Sequence, residues 1–224
     1  MKKTEKYSSI QPPSNSKQKY FYAALIMFIL LVNMLVYLQL TQAFAPEIST
    51  TKNEFPLNIE FHNGDLILRN GKGLLSSVFR KSSLNQPLYT HAGFLYKFNN
   101  TWYVYHYIDD EKQSGLHIER LSDFIDYKIC SSYAFYRYHL NSNVKHHLDS
   151  LIISSQYLSL PFDSEFNFES DSALYCTEYI AKILINATGQ QDFIPTTTVG
   201  LFNYIAPDNL YLNANCNLIY KNEY

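Results

Sequence analysis

A domain of antiparallel strands and helices, preceded by one transmembrane helix, is the architecture this sequence predicts. Three observations lead to it: a charge-free apolar run over residues 20–45, two aromatic and β-branched segments joined by Asn99-Asn100, and two later stretches, 144–157 and 174–187, with apolar residues at helical spacing. Of the 224 residues, 46% are hydrophobic and 17% charged, with 20 Tyr and 15 Phe, which is enough apolar mass for a core and excludes a disordered chain. What remains beyond the apolar run is the length of one ordinary domain.

The run at 20–45 is long enough to cross a hydrocarbon core as a helix. Lys2, Lys3, Lys6, Lys17 and Lys19 precede it and the first charge after it is Glu47, so the positive-inside rule makes residues 1–19 a cytoplasmic tail and puts the body outside. The expected location is the inner (cytoplasmic) membrane, single-pass, with an extracytoplasmic or periplasmic body and the lipid bilayer as partner of the N-terminal helix. Cleavage as a signal peptide after Ala43-Phe44-Ala45 is the alternative, against which stand the length of the run and Pro46 just past the cut. Residues 46–58 are aperiodic and read as a linker, leaving 59–224 for the domain. The net charge of −2 divides into +4 over residues 1–19 and −6 beyond, and an anionic body is a poor nucleic-acid partner.

Gly64-Asp65 followed by Leu66-Ile67-Leu68-Arg69-Asn70 reads as a first, largely buried strand, then a helical turn at 74–80 and a loop at 82–87. The segments flanking Asn99-Asn100 form a hairpin, because Asn tolerates the positive φ of a two-residue type I′ turn. Facing residues then have numbers summing to 199, which sets His106 opposite Gly93 and puts His91 and His106 on one face as diagonal neighbours, with Cα atoms about 7–8 Å apart. A bulge would separate them onto opposite faces. Residues 144–157 read as an amphipathic helix and 158–169 as a loop; Asp171 or Ser172 is the expected N-cap of a second helix that Gly189 ends.

Cys176 falls in the first turn of that second helix. Unpaired backbone N–H groups and the helix dipole there favour a thiolate and lower its pKa, and the same groups can donate to an oxyanion. His91 would then take the thiol proton and His106 would orient His91. The competing readings are packing ones, a strand histidine filling space and a cysteine acting as a small hydrophobe. Geometry between hairpin and helix decides. Of the three cysteines at least one stays unpaired, and Cys130 and Cys216 are the candidates for a bridge. No two cysteines have metal-ligand spacing and His146-His147 reads as a solvated helix face, so no metal or cofactor is expected.

In order and spacing the chain resembles the permuted papain-like cysteine hydrolases of the YiiX type, within the NlpC-like superfamily. The resemblance is carried by Gly64-Asp65, Thr90-His91-Ala92-Gly93, a third polar residue on the next strand, Pro161-Phe162-Asp163, and Tyr175-Cys176-Thr177-Glu178 at a helix start, over residues 59–190. It implies an α+β, circularly permuted papain-like (NlpC-like) domain with Cys176 as nucleophile, His91 as general base and His106 fixing the imidazole. The third position is often Glu in YiiX-like members, whereas His occurs there in the related lecithin:retinol acyltransferase branch, and a neutral His106 offers less to an imidazolium than a carboxylate does. Asp163 and Glu178 are expected to be structural, and Tyr175 to bind substrate through its hydroxyl or to pack. The resulting expectation is a membrane-anchored cysteine peptidase or amidase acting on a peptide or acyl substrate, with cell-wall peptides (peptidoglycan) favoured and a thioester intermediate. A lipid-directed acyltransferase or acyl hydrolase, and a non-catalytic scaffold on the same fold, are the alternatives. The segment after Pro195 is expected either to cover the cleft or to pack on the sheet.

Overall fold

The computed structural model describes residues 59–72, 83, 85–110 and 113–222, together with Met27, Leu31 and Met34. The chain divides into two compact units, residues 1–48 and 49–224. In the first, Met27, Leu31 and Met34 are helical and exposed. Among the described residues no helix is long and apolar enough to cross a membrane. The tail 1–19 expected in the cytoplasm, most of the expected span, the expected linker 46–58 and the expected helical turn at 74–80 lie outside the described residues.

The second unit is built on a six-stranded antiparallel sheet. Strands β1 (Leu66–Gly71), β2 (His91–Phe98), β3 (Thr101–Asp110), β4 (Gln113–Arg120), β5 (Cys130–Tyr138) and β8 (Cys216–Asn222) lie in the order β4-β3-β2-β1-β5-β8. Every neighbouring pair is antiparallel. The hairpin of β2 and β3 has the expected register, with Phe98 opposite Thr101 and Phe94 opposite Tyr105. Asn99 (φ 45°) and Asn100 (φ 63°) supply the left-handed pair that a type I′ turn needs.

Strand β1 is central and covered on both sides, which is why it reads as an unbroken apolar run. Leu66 and Leu68 face the larger core with Ala92, Phe94 and Tyr107, while Ile67 faces a smaller one with Leu95, Val104 and Phe135. Each of these fully buried β1 side chains contributes roughly 2 kcal/mol of transfer free energy. Helices α2 (Ser142–Ile152) and α3 (Cys176–Thr188) supply the larger core, with Leu148, Ile152, Ile180, Ile183 and Leu184. The short α1 (Leu121–Phe124) closes the smaller one with Leu121 and Phe124. At the start of β1, Asp65 is buried and receives a two-pronged grip from Arg137 of β5 at 2.7 and 2.8 Å.

Two local expectations are corrected. Helix α3 starts later than Asp171 or Ser172 as N-cap would have it: Tyr175 is the N-cap, and its backbone N–H donates to Glu178 Oε2 at 3.3 Å. A reaching carboxylate thus replaces the short polar cap, and Glu178 is fully buried to do it. Gly189 does end the helix, at φ 69°. The bridge between Cys130 and Cys216 is excluded, since both thiols are free and sit at opposite ends of β5, Cys130 opposite Gly71 and Cys216 opposite Tyr138. Eight residues along a strand is about 26 Å, against the roughly 6 Å a disulfide spans.

The segment after Pro195 packs on the sheet, one of the two courses open to it. It forms a small hairpin, β6 (Thr197–Val199) and β7 (Phe202–Tyr204), then α4 (Pro207–Tyr211), and finally the edge strand β8. Between them Ile205 locks onto the start of α3, its N–H donating to Tyr175 Oη at 2.7 Å and its carbonyl accepting from Thr177 Oγ1 at 2.6 Å.

Candidate active site

The hairpin register decides the histidine geometry. With His106 opposite Gly93, the two rings come together edge to face, and His91 Nε2 lies 2.7 Å from His106 Nδ1. A Cβ on Gly93 would lie 3.1 Å from His106 Cβ and 2.5 Å from Val104 Cγ1, so the absent side chain is what admits both rings. His91 also stacks on Phe124 of α1, with ring centroids 5.7 Å apart.

Behind His106 stands a residue that sequence reasoning missed. His106 Nε2 is 2.9 Å from Glu119 Oε1, close but out of line for a straight hydrogen bond. Glu119 comes from β4, whose register sets His117 opposite His106 and brings Glu119 two residues further along the same face. Arg69 of β1 completes the group, 3.7 Å from the same Glu119 oxygen and donating to the Phe124 carbonyl at 2.8 Å. The alternation in Leu116-His117-Ile118-Glu119 was the available signal, but the sequence has no marker for where β4 pairs.

Burial dominates the electrostatics. It pushes His91 well below the usual histidine range, aided by the charges of Arg69 and His106. It takes His106 down to about 4, against the opposing pull of Glu119. Burial also raises Glu119, but its contact with His106 and the Arg69 charge outweigh that and hold it below the ordinary carboxylate value. Both rings are therefore neutral near pH 7 beside an ionised carboxylate. In that state one proton arrangement satisfies the chain: His106 Nε2–H faces Glu119, His91 Nε2–H donates to His106 Nδ1, and His91 Nδ1 carries a free lone pair.

Cys176 is the first residue of α3. Its sulfur is ringed by the backbone N–H groups of Ala92, Thr177 and Cys176 itself, which favour the thiolate, yet burial prevails and the thiol is pushed up to about 11. The expected lowering is thus corrected: the helix start helps, but the thiol of a residue only 6% exposed loses more solvation than the amides return. The structure brings the sulfur to the amide of Ala92, one residue from His91. Among the described residues, its hydrogen-bond partners are these amides and not the His91 ring.

Of the two roles open to Tyr175, packing is the one seen. It is 2% exposed, its hydroxyl accepts from Ile205, and its ring packs on Phe166, so it ties the helix start to the chain after β7. Asp163 and Glu178 are structural as expected: Asp163 accepts the N–H groups of Glu165 and Asn167, and Glu178 caps α3 and pairs with Lys182 at 3.1 Å. His146 and His147 are exposed on α2. The side chains that do lie together as potential metal donors are His106, His117 and Glu119, with donor atoms within 4.8 Å of one another.

Comparison with known proteins bears on the fold and the family. No curated protein matches the chain. Among solved structures it is similar to the crystal structure of metalloprotein yiiX from Escherichia coli O157:H7, at 19% identity and a TM-score of 0.58, covering 72% of this chain and 97% of that one. That likeness concerns the fold. Residues 60–207 match the family described as permuted papain-like amidase enzyme, YaeF/YiiX, C92 family. With two-thirds of its length inside that match, this chain belongs to the permuted papain-like amidases and is a cysteine hydrolase by family.

Proposed function

We propose that the chain is a membrane-anchored, extracytoplasmic cysteine hydrolase that cleaves an amide or ester bond through a thioester, with cell-wall peptides as substrate class. The observation that carries the chemistry is the buried relay from Glu119 through His106 to His91, ending one residue from the amide that holds the Cys176 sulfur. The location rests on the uncharged run at 20–45 and the lysines before it, and the substrate class on that location.

In this reading the resting pair is a neutral thiol and a neutral imidazole. As the substrate carbonyl arrives, His91 Nδ1 takes the Cys176 proton while the sulfur bonds to the carbonyl carbon, and the oxygen becomes an oxyanion facing the amides at the start of α3. The tetrahedral species collapses, the C–N or C–O bond breaks, and His91 returns its proton to the leaving group. Water then attacks the thioester, losing its proton to His91, and the acid leaves as the thiol is restored. Glu119 and Arg69 keep their charges throughout, and Glu119 stabilises the imidazolium through His106.

Rate of modification by iodoacetamide tests the first step. All three cysteines are buried, yet Cys176 in the folded protein should label faster than Cys130 and Cys216, with the advantage lost on His91→Ala; equal, slow labelling of all three would favour a scaffold. Turnover on peptidoglycan fragments, abolished by Cys176→Ala and reduced by His106→Ala in proteins that remain folded, would carry the substrate class. Turnover on acyl-lipids alone would replace it with the lipid-directed reading.

A further inference from the structure

The Glu119 end of the relay is also a donor set for a soft-to-borderline divalent cation. His106 and His117 are directly opposite on β3 and β4, Glu119 projects on the same face, and their donor atoms all lie within 4.8 Å. His106 is 1% exposed and its Nε2 points into this group, 2.9 Å from Glu119 Oε1. Two imidazoles and one carboxylate with a fourth position for water suit Zn²⁺, and suit Mg²⁺ poorly.

Geometry sets the cost of loading the site. Donors sharing one tetrahedral zinc at about 2.1 Å lie about 3.4 Å apart. His106 Nε2 and Glu119 Oε1, now 2.9 Å apart, must open by a few tenths of an ångström, and the other pairs start within 4.8 Å. Arg69 is the adverse neighbour, because its guanidinium sits 3.7 Å from the same carboxylate oxygen. Phe124 lies against the His106 ring and contributes no charge. Loading therefore needs small side-chain shifts and no change of backbone register.

We propose that Zn²⁺ held by His106, His117 and Glu119 switches the enzyme off by reversing the tautomers of both relay histidines. This inference rests on the reading of His91 as general base. Without metal, His106 carries its proton on Nε2 and His91 on Nε2, which leaves His91 Nδ1 free to accept from the thiol. Zinc takes the Nε2 lone pair of His106, so its one proton sits on Nδ1 and points at His91 Nε2. That nitrogen must now accept, and the His91 proton sits on Nδ1, the position the thiol proton has to enter. No proton is gained or lost by the pair; each ring keeps one and moves it to its other nitrogen. The base is occupied, and Cys176 loses its acceptor.

Zinc binding by the full-length Cys176→Ala protein, in which the thiol cannot bind the metal, is the first measurement, with Cys176→Ala/His117→Ala beside it and Mg²⁺ as control. One Zn²⁺ should bind to the first protein, at least a hundredfold more weakly to the second, and Mg²⁺ to neither. Histidine-selective ¹⁵N spectra of the Cys176→Ala protein should show His91 change from Nε2–H to Nδ1–H as Zn²⁺ is added. In otherwise native protein, Zn²⁺ should slow iodoacetamide labelling of Cys176 at least tenfold relative to the same protein in chelator, and His117→Ala should remove most of that effect. Equal zinc affinity with and without His117, or binding that leaves the His91 tautomer unchanged, overturns the switch. Inhibition that persists in His117→Ala assigns the effect to zinc on the thiol and overturns it equally. Nδ1–H on His91 before any metal is added would instead refute His91 as the base, a separate failure seen without zinc.

Discussion

Replacing Gly93 by alanine puts a methyl group into the one gap that lets the two histidines meet. The new Cβ would lie 2.5 Å from Val104 Cγ1, 3.1 Å from His106 Cβ and 3.1 Å from the Tyr105 carbonyl oxygen. The first contact is about 1 Å shorter than carbon atoms tolerate comfortably, and Val104 is fully buried between strands, so it has nowhere simple to go. Overpacking of this kind costs about 1–3 kcal/mol. For a domain of this size that is a fall in Tm of about 3–10 °C, read by circular dichroism in a thermal melt. The strain is also directional, because His106 shares it: a shift of a few tenths of an ångström lengthens the 2.7 Å contact to His91 and should slow Cys176 labelling about tenfold. Val104→Ala removes the worst contact, so the double variant should be less destabilised than the two single changes added together. A Gly93→Ala protein with an unchanged melt and an unchanged labelling rate would refute the claim that this gap organises the site.

Removing Arg137 by substitution to Met should cost about 3 kcal/mol or more in urea unfolding, because Asp65, 1% exposed, is left as a buried charge without its counterion; a loss under 1 kcal/mol would show that the His62 amide and water suffice. In the His91→Ala protein, labelling of Cys176 should rise about tenfold per pH unit from pH 7 towards 10 and level near 11, since burial raises the thiol to about 11 and without the base only the titrated thiolate reacts; a plateau by pH 8 would mean the thiol is not held up. On the acid side, His91 and His106 are depressed in the folded protein, so the unfolded chain binds more protons and stability falls as pH drops from about 6.5 towards 4. His106 alone, at about 4, accounts for roughly 3 kcal/mol of that loss, and urea midpoints unchanged across this window would contradict it. Asn100→Val should destabilise by about 1–2 kcal/mol, because a β-branched residue resists φ 63°, whereas Asn100→Gly should be tolerated.

Local chemistry made much of this protein legible in its residue order. A two-asparagine turn admits few backbone geometries, so Asn99-Asn100 determined the β2–β3 register and with it the shared face of His91, Gly93 and His106. The unbroken apolar run at 66–68 announced a strand buried on both faces, and Gly189 marked the end of α3 because only a residue at ease with positive φ stops a helix that way. These are short-range effects, carried by the residues that show them.

What only the tertiary structure decided involves partners far apart in the chain or the solvent they exclude. Glu119 joins the site because β4 pairs with β3 in one register, and nothing within β4 encodes that offset. Glu178 caps α3 in place of Asp171 or Ser172, a choice made by the packing of Tyr175 against Phe166 and Ile205. Cys130 and Cys216 are held apart by the length of β5. The thiol of Cys176 is raised and not lowered, because desolvation is a property of the assembled core, whereas the helix start that pulls the other way is written in the sequence.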